Sequence, residues 1–583
     1  MKRRLSILVN ILVVVAIVLS SCTSCNPDAF TSDSTSSGTV NNTTYSGSIT
    51  VEEGNSALYP STYDESDYTA WQNYDFGTEY VFDVESKTWV GTSPADAGIA
   101  TVTVKSSSLK VVNSASAPIS IRLTGSNDSF KVTIEGNDQA VKVSLDDLSL
   151  TSTDRCLNIK SSSVSYVVLE GDNVLETLID SEDKNVIKSA ADLVFDGEGS
   201  LSVTANSKNG IVSDHVICIL DGDITVTVAE TTRYTDEDTG LVVEDKGTGI
   251  KALLGFVMLD GNLTIYGNNS TEGYESKGIK VDGFEADTLD DESEAAGMGW
   301  IVIDGGNITI RTQGKAISAG WKQSEDDLPD STSNYPVPNV YINDGAFDII
   351  TYATPRDDTD TTEGVSPEGI EAKNNVYITG GTFVINTTDD CINASNAIYI
   401  SGGLVYAHAS QNDAIDAGAD ENQGYLYISG GAVIAMGAGQ PETGFDCNSD
   451  SRFQYTGGIF IAMGGGQNNT PQATGTTAYT VSINEVSSGK TYALVQDGDL
   501  ELVFKVPAGY SYGNCVLLGT EGLSQGTATL LSGVTATGTE TLNGVLIYGA
   551  VTVSGGTSTS VTVSNSSSSQ MGGGFGGGPG RPF

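Results

Sequence analysis

Apolar and polar residues alternate in runs of four to six, and each run stops at Gly, Asn or Asp. Val376-Tyr-Ile-Thr-Gly-Gly381 leads into Thr382-Phe-Val-Ile385, and Ala397-Ile-Tyr-Ile-Ser-Gly-Gly403 into Leu404-Val-Tyr406. Tyr425-Leu-Tyr-Ile-Ser-Gly-Gly431 then leads into Ala432-Val-Ile434. Period-two runs bounded by turn residues predict short strands, and no helical or heptad period competes with them. The second glycine falls at Gly381, Gly403, Gly431 and Gly458, spacings of 22, 28 and 27 residues. Weaker copies end at Gly222, Gly261, Gly306 and Gly345, spaced 36 to 45 residues apart. Repeats of this length mark solenoids or propellers, and a propeller blade needs about 40 residues. The 22-residue copy fits one coil of a parallel β-helix. The longer copies are coils with polar insertions at a corner, at Glu230–Lys246, Phe284–Ala296, Gln323–Pro338 and Thr354–Pro367. The predicted class is all-β, a solenoid.

Alternation assigns faces. If Ile378, Ile400 and Ile428 fill the interior, Tyr377, Tyr399 and Tyr427 form an external ladder, with Tyr341 one copy earlier. Neighbouring rings would stand about 4.8 Å apart. Such a ladder either carries sugar rings or stacks on itself, as strand aromatics do. Trp300 and Trp321 flank the insertions and are further candidates for sugar stacking.

A second column is acidic. Its first position reads Glu368, Asp390, Asp413, and its fourth Glu371, Asn393, Asp416, Asp446; Asp389 adjoins Asp390. Carboxylates about 5 Å apart repel by a few kcal/mol at an effective dielectric near 20. Hard oxygen donors suit Ca²⁺, which takes six to eight oxygens in irregular geometry. The alternatives are side chains splayed into water or paired with lysine. Lys251, Lys277, Lys280 and Lys315 stand earlier in the same columns, so the sign changes along the solenoid.

The ends differ from the middle. Residues 1–21 carry Lys2, Arg3 and Arg4 and then an apolar run, the pattern of a signal sequence. Leu19-Ser-Ser-Cys22 resembles a bacterial lipobox, which would make Cys22 a lipidated first residue. Residues 22–60 are rich in Ser, Thr, Gly and Asn and read as a tether. Residues 571–583, rich in Gly and Pro, read as a disordered tail. Residues 1–21 hold three of the 28 basic residues and no acid, so their removal takes the net charge from −46 to −49. That field repels nucleic acid and anionic lipid. Cys156, Cys218, Cys391, Cys447 and Cys515 are dispersed in apolar runs and read as packing. His215 and His408 offer no zinc spacing, and no phosphate loop, dinucleotide fingerprint, EF-hand or nucleophile elbow is present.

The repeated phrases resemble a family of bacterial secreted carbohydrate-binding proteins. They are Asn209-Gly-Ile-Val212, Lys277-Gly-Ile-Lys280, Glu368-Gly-Ile-Glu371, Asp389-Asp-Cys-Ile-Asn-Ala394 and Asp413-Ala-Ile-Asp-Ala417, each followed by a Gly-Gly or Asp-Gly strand. Leu169–Val174 and Ala191–Val203 also resemble it, and the likeness spans roughly residues 100–465. It implies a right-handed parallel β-helix similar to pectate lyases that binds calcium and cellulose-like or pectic acid-like polysaccharides. Cys391 and Ala414 depart from the usual glycine, and the acidic insertions are additions. The expected organisation is a β-helix over 61–477 and a β cap or small sandwich over 478–570, since open solenoid ends need covers. The expected function is calcium-dependent polysaccharide binding at a lipid-anchored cell surface, without catalysis. A pectate-type lyase, with Lys315 or Lys373 as base, is the alternative, and a structural adhesin is a third.

Overall fold

In the computed structural model, residues 39–565 are described except 52–53, 55, 179–183, 230–232, 236–241, 245–246, 268–274, 284–297, 321–337, 357–363, 419–422 and 473–478. The signal sequence, Cys22, the tail, Trp321 and the acidic insertions 236–238, 290–292, 325–327 and 357–360 lie outside them. The chain is a parallel β-helix with an antiparallel β cap. Helix among the described residues is confined to the short turns Ser66–Thr69, Ala70–Asn73 and Asp450–Arg452. None is long and apolar enough to cross a membrane.

Each coil places one strand in each of three parallel sheets. Ile370–Ala372 pairs with Ile392–Ala394, and that with Ile415–Ala417 and Phe445–Cys447, forming a carboxylate sheet of three-residue strands. Val340–Ile342, Asn375–Ile378, Ala397–Ile400 and Tyr425–Met436 pair in order as a tyrosine sheet. Ala346–Thr351, Thr382–Thr387 and Leu404–Ala409 form a third. The inward residues, among them Ile370, Ile378 and Ile385, are fully buried in one continuous core. Phe347 and Phe383 stack inside it with centroids 4.5 Å apart.

The glycine motif turns the corner between the tyrosine and third sheets. Gly403 has φ 85°, and a Cβ there would stand 2.8 Å from the Gly380 carbonyl oxygen of the coil before. Both facts exclude a side chain. This corner keeps three residues in every copy from Leu220-Asp-Gly222 to Ser401-Gly-Gly403. Insertions enter instead at both other corners. Residues 284–297 and 321–337 fall after carboxylate-sheet strands, and 230–246 and 357–363 fall before them. The sequence expectation of a single corner is therefore corrected to two, which flank one sheet.

The two ends also depart from expectation. Thr44–Ile49, assigned to the tether by its composition, pairs antiparallel with Leu546–Ser554 of the cap. From there the chain runs back along the outside of the solenoid as a strap. Gly54 passes so close to Thr379 that a Cβ would meet its carbonyl oxygen at 1.5 Å. The Leu58 N–H donates to Asn343 Oδ1 at 2.9 Å, and Asn343 Nδ2 donates to the Leu58 carbonyl at 3.0 Å. Trp71 Nε1 donates to Asp196 Oδ2 at 2.7 Å. The strap then enters the first coil at Glu79–Asp83, parallel to Ile119–Asn127. The solenoid thus begins near residue 79, and residues 61–77 are its outer covering. Tyr68 packs in a second apolar seam with Tyr166, Val194, Cys218, Val257 and Trp300. At the far end, Cys515–Gly519 pairs antiparallel with Phe453–Gly464, so the cap continues the coil's own sheet. Its core also covers Tyr406, Ile434 and Met436 on the outer side of that sheet. All five cysteines in the described residues are free, four of them buried.

Candidate functional site

Register brings the acidic column together as the spacing predicts. Glu371, Asn393, Asp416 and Asp446 are direct neighbours in successive coils. Toward the N-terminus the same position reads Ser318, Lys280, Lys251, Val212 and Lys188. One outward face therefore runs from cationic to anionic. Glu368, Glu371, Asp389, Asp390 and Asp413 are buried, Asn393 and Asp416 half-buried and Asp446 exposed. A column splayed freely into water does not describe the first five.

Lysine compensates one part of the column and leaves the other. Lys315 Nζ lies 2.6 Å from Glu368 Oε2 and 2.5 Å from Glu371 Oε1. Lys373 Nζ approaches Glu371 Oε1 at 2.9 Å, and Ser318 Oγ donates to Glu371 Oε2 at 2.7 Å. Burial alone would raise the Glu371 carboxyl, but the two lysines and these hydrogen bonds hold it well below the usual range. Burial outweighs Lys315 at Glu368 and pushes its carboxyl up to about 7. Lys315 itself is held cationic: its two carboxylates outweigh the burial that would lower it.

In the next coils, no lysine or arginine pairs with Asp390, Asp413 or Asp416 among the described residues. Asn393 Nδ2 donates to Asp390 Oδ2 at 2.9 Å and to Glu368 Oε1 at 3.2 Å. Asp390 Oδ1 is buried with no hydrogen-bond partner. Asn412 Nδ2 donates to Asp389 Oδ1 at 2.6 Å, and the Thr443 N–H to Asp413 Oδ1. Burial first, then the neighbouring acids, pushes Asp390, Asp413 and Asp416 well above the ordinary carboxylate range. The Asp446 carboxyl is raised as well, because the surrounding protein strips water from it although the residue as a whole stands exposed. An unpaired buried carboxylate oxygen costs several kcal/mol unless a proton or a cation meets it. The donors are hard oxygens, suited to a hard divalent cation. As the side chains stand, no group of three or more Asp, Glu, His or Cys forms a metal-binding cluster among the described residues.

The tyrosine ladder is in register, and its rings face one another. Tyr341, Tyr377, Tyr399 and Tyr427 stack with centroids 4.9, 4.9 and 4.6 Å apart and planes within 9°. Asn339 and Asn375 donate to the hydroxyls of Tyr341 and Tyr377, both at 2.9 Å. Burial raises all four hydroxyls above their ordinary value. Tyr377, Tyr399 and Tyr427 are half-buried, but Tyr341 is only 8 % exposed. Trp300 is 5 % exposed and meets Tyr63 of the strap edge to face at 5.9 Å. These two are corrected from open sugar platforms to packing residues, because the strap's seam covers them. Stacking occupies the faces between the ladder rings, so edges are what Tyr377 and Tyr399 present.

Residues 111–417 match the carbohydrate-binding domain-containing protein family. No curated protein matches the chain. A solved polysaccharide lyase-like protein from C. thermocellum, studied as a gadolinium derivative, is similar at 18% identity with a TM-score of 0.35. That similarity covers 56% of this chain and 99% of the other. The family match spans more than half of the 583 residues, and the chain belongs to the carbohydrate-binding domain-containing protein family.

Proposed function

We propose that the protein binds polysaccharide, that the carboxylate sheet is the binding face, and that a divalent cation, Ca²⁺, joins the two. The observation that carries this reading is the uncompensated run beyond Glu371. Asp390, Asp413 and Asp416 lie in adjacent coils with their carboxyls raised, and Asp390 keeps an unpaired buried oxygen. Ca²⁺ wants six to eight oxygens. Asp389, Asp390, Asp413 and Asp416, with Asn393, would supply some and leave others to water and to the glycan. A cation incompletely ligated by protein is one that a ligand's hydroxyls or carboxylates complete. Family membership supports carbohydrate as the partner. The position of the insertions supports this face, since elaborated loops on a rigid scaffold commonly carry function.

Binding is favoured over cleavage. A lyase base must give up its proton; Glu368 and Glu371 hold one on Lys315, and Lys373 is paired with Glu371 at 2.9 Å. Anchoring through Cys22 and presentation at the cell surface complete the proposal. The test is retention on insoluble acidic and neutral polysaccharides, with calcium or with chelator, while the supernatant is followed for ultraviolet absorbance. Calcium-dependent retention without an unsaturated product is expected. Equal retention and equal melting temperature in chelator would sink the calcium bridge. An absorbing product would turn the assignment to a lyase.

A further inference from the structure

The cationic end of the carboxylate sheet carries a cavity of its own. Its volume is about 380 Å³, and Arg155, Asn158, Lys160, Ser161, Lys188 and Asp214 are among its lining residues. Asn158 and Lys188 are neighbours in the sheet, so the cavity lies over the same column as Glu371 and Asp416 but many coils away. Three cations face one carboxylate there. Asp214 is matched to Lys188 at 3.0 Å. The nearby acids have their own partners: Glu135 meets Lys110 at 2.9 Å and Asp154 meets Lys131 at 2.5 Å. Arg155 and Lys160 are left without an ion pair among the described residues. Arg155 Nε is buried and has no hydrogen-bond partner.

We propose that this cavity is an anion site that takes the carboxylate of an acidic sugar directly, with no divalent cation. The Arg155 guanidinium lines the cavity with no carboxylate partner among the described residues, and a planar carboxylate is the acceptor whose two oxygens match a guanidinium. Asn158 and Ser161 add neutral donors of the kind that sugar hydroxyls accept. The volume falls within the range of about 300–1,000 Å³ typical of small-ligand sites. In a chain of net charge −46, a local excess of cations is where an anionic group escapes the general repulsion. The naming of a sugar rests on the polysaccharide reading above; the anion site itself rests on these residues.

The experiment is titration calorimetry of the full chain in chelator at low salt, with glucuronate, glucose and inorganic phosphate as probes. Glucuronate should bind at least tenfold more tightly than glucose and weaken as salt is added. Arg155→Gln with Lys160→Gln should lose at least tenfold while the melting temperature holds, since neither side chain is in a described ion pair. Lys490→Gln, an exposed lysine of the cap, should change nothing. Equal binding of glucose and glucuronate, undiminished binding in the double variant, or phosphate bound tenfold more tightly than glucuronate would overturn the assignment. Retention on polysaccharide in calcium is measured alongside. If it persists in a wild type that binds no glucuronate, the cavity fails and the glycan reading stands. If glucuronate binds but no polysaccharide is retained, the cavity stands and the bridging face fails.

Discussion

Replacing Tyr399 separates the two roles open to the tyrosine ladder. Its ring is stacked on both sides, by Tyr377 at 4.9 Å and 9° and by Tyr427 at 4.6 Å and 0°. Tyr399→Ala removes both contacts, each worth about 0.5–1.5 kcal/mol beyond area. A half-buried aromatic ring also returns roughly 80 Å² to water, about 2 kcal/mol at ~25 cal/mol per Å². The expected loss is therefore about 3–5 kcal/mol. Tyr399→Phe keeps both stacks and should lose less than about 1 kcal/mol. Urea denaturation of the three proteins, with the Phe variant fixing the slope, measures the difference. Retention on polysaccharide is followed in parallel. If Tyr399→Ala unfolds within about 1 kcal/mol of wild type yet retains several-fold less glycan, the rings serve the ligand and the stacking argument is refuted.

Four further outcomes are expected. In chelator the protein should melt at a higher temperature at pH 5 than at pH 8. Asp390, Asp413 and Asp416 have folded-state values raised above the unfolded ones, so their contribution is present below the ordinary carboxylate range and is lost as pH rises through the raised values. Calcium should narrow that gap by stabilising the ionised form, and a gap unchanged by calcium would count against the ion. Lys315→Met leaves Glu368 without its cation and should cost about 3–5 kcal/mol in a denaturant titration, whereas a neutral result would mean the lysine is replaceable by water. Trp71→Ala removes the bond to Asp196 and should speed proteolytic cutting within 50–78 while leaving the coils beyond 193 resistant; unchanged cutting would show the strap is held elsewhere. Cys22→Ala should release the protein from membranes, and unchanged fractionation would end the lipobox reading.

Much of the solenoid was legible because its signal is local and repeated. Gly381, Gly403 and Gly431 mark the same corner, and the alternation around Ile378 and Tyr377 sets inside and outside without any long-range information. Both functional columns follow from that register. Their partners did not. Spacing puts Lys315 in the column of Glu368 one copy earlier, but does not say that its ammonium lies between Glu368 and Glu371 and not in water. Trp300 and Tyr341 were misjudged for a related reason. Alternation says which residues point outward, but not what else covers the outside. The strap has no period to read, because it crosses the strands and does not join them. Its anchors, Leu58, Tyr63, Tyr68 and Trp71, are set by where corners and side chains of the solenoid happen to lie.

That strap also inverts the order of assembly relative to the order of synthesis. Ser46 and Thr552 touch side chain to side chain across 506 residues of chain, at 3.2 Å. Thr44–Ile49 is made well before its partner strand Leu546–Ser554. Coils can form one on another as they emerge, because each needs only its neighbour. This closure must wait for the cap and joins residues 506 apart, the kind of contact that forms slowly. The seam over Tyr166, Cys218 and Val257 can close earlier, since Tyr68 and Trp71 precede the coils they cover. A nascent or truncated chain lacking the cap would thus carry a coiled body with Thr44–Ile49 unpaired and Ile434 and Met436 uncovered, and it is there that a chaperone or a protease would find it.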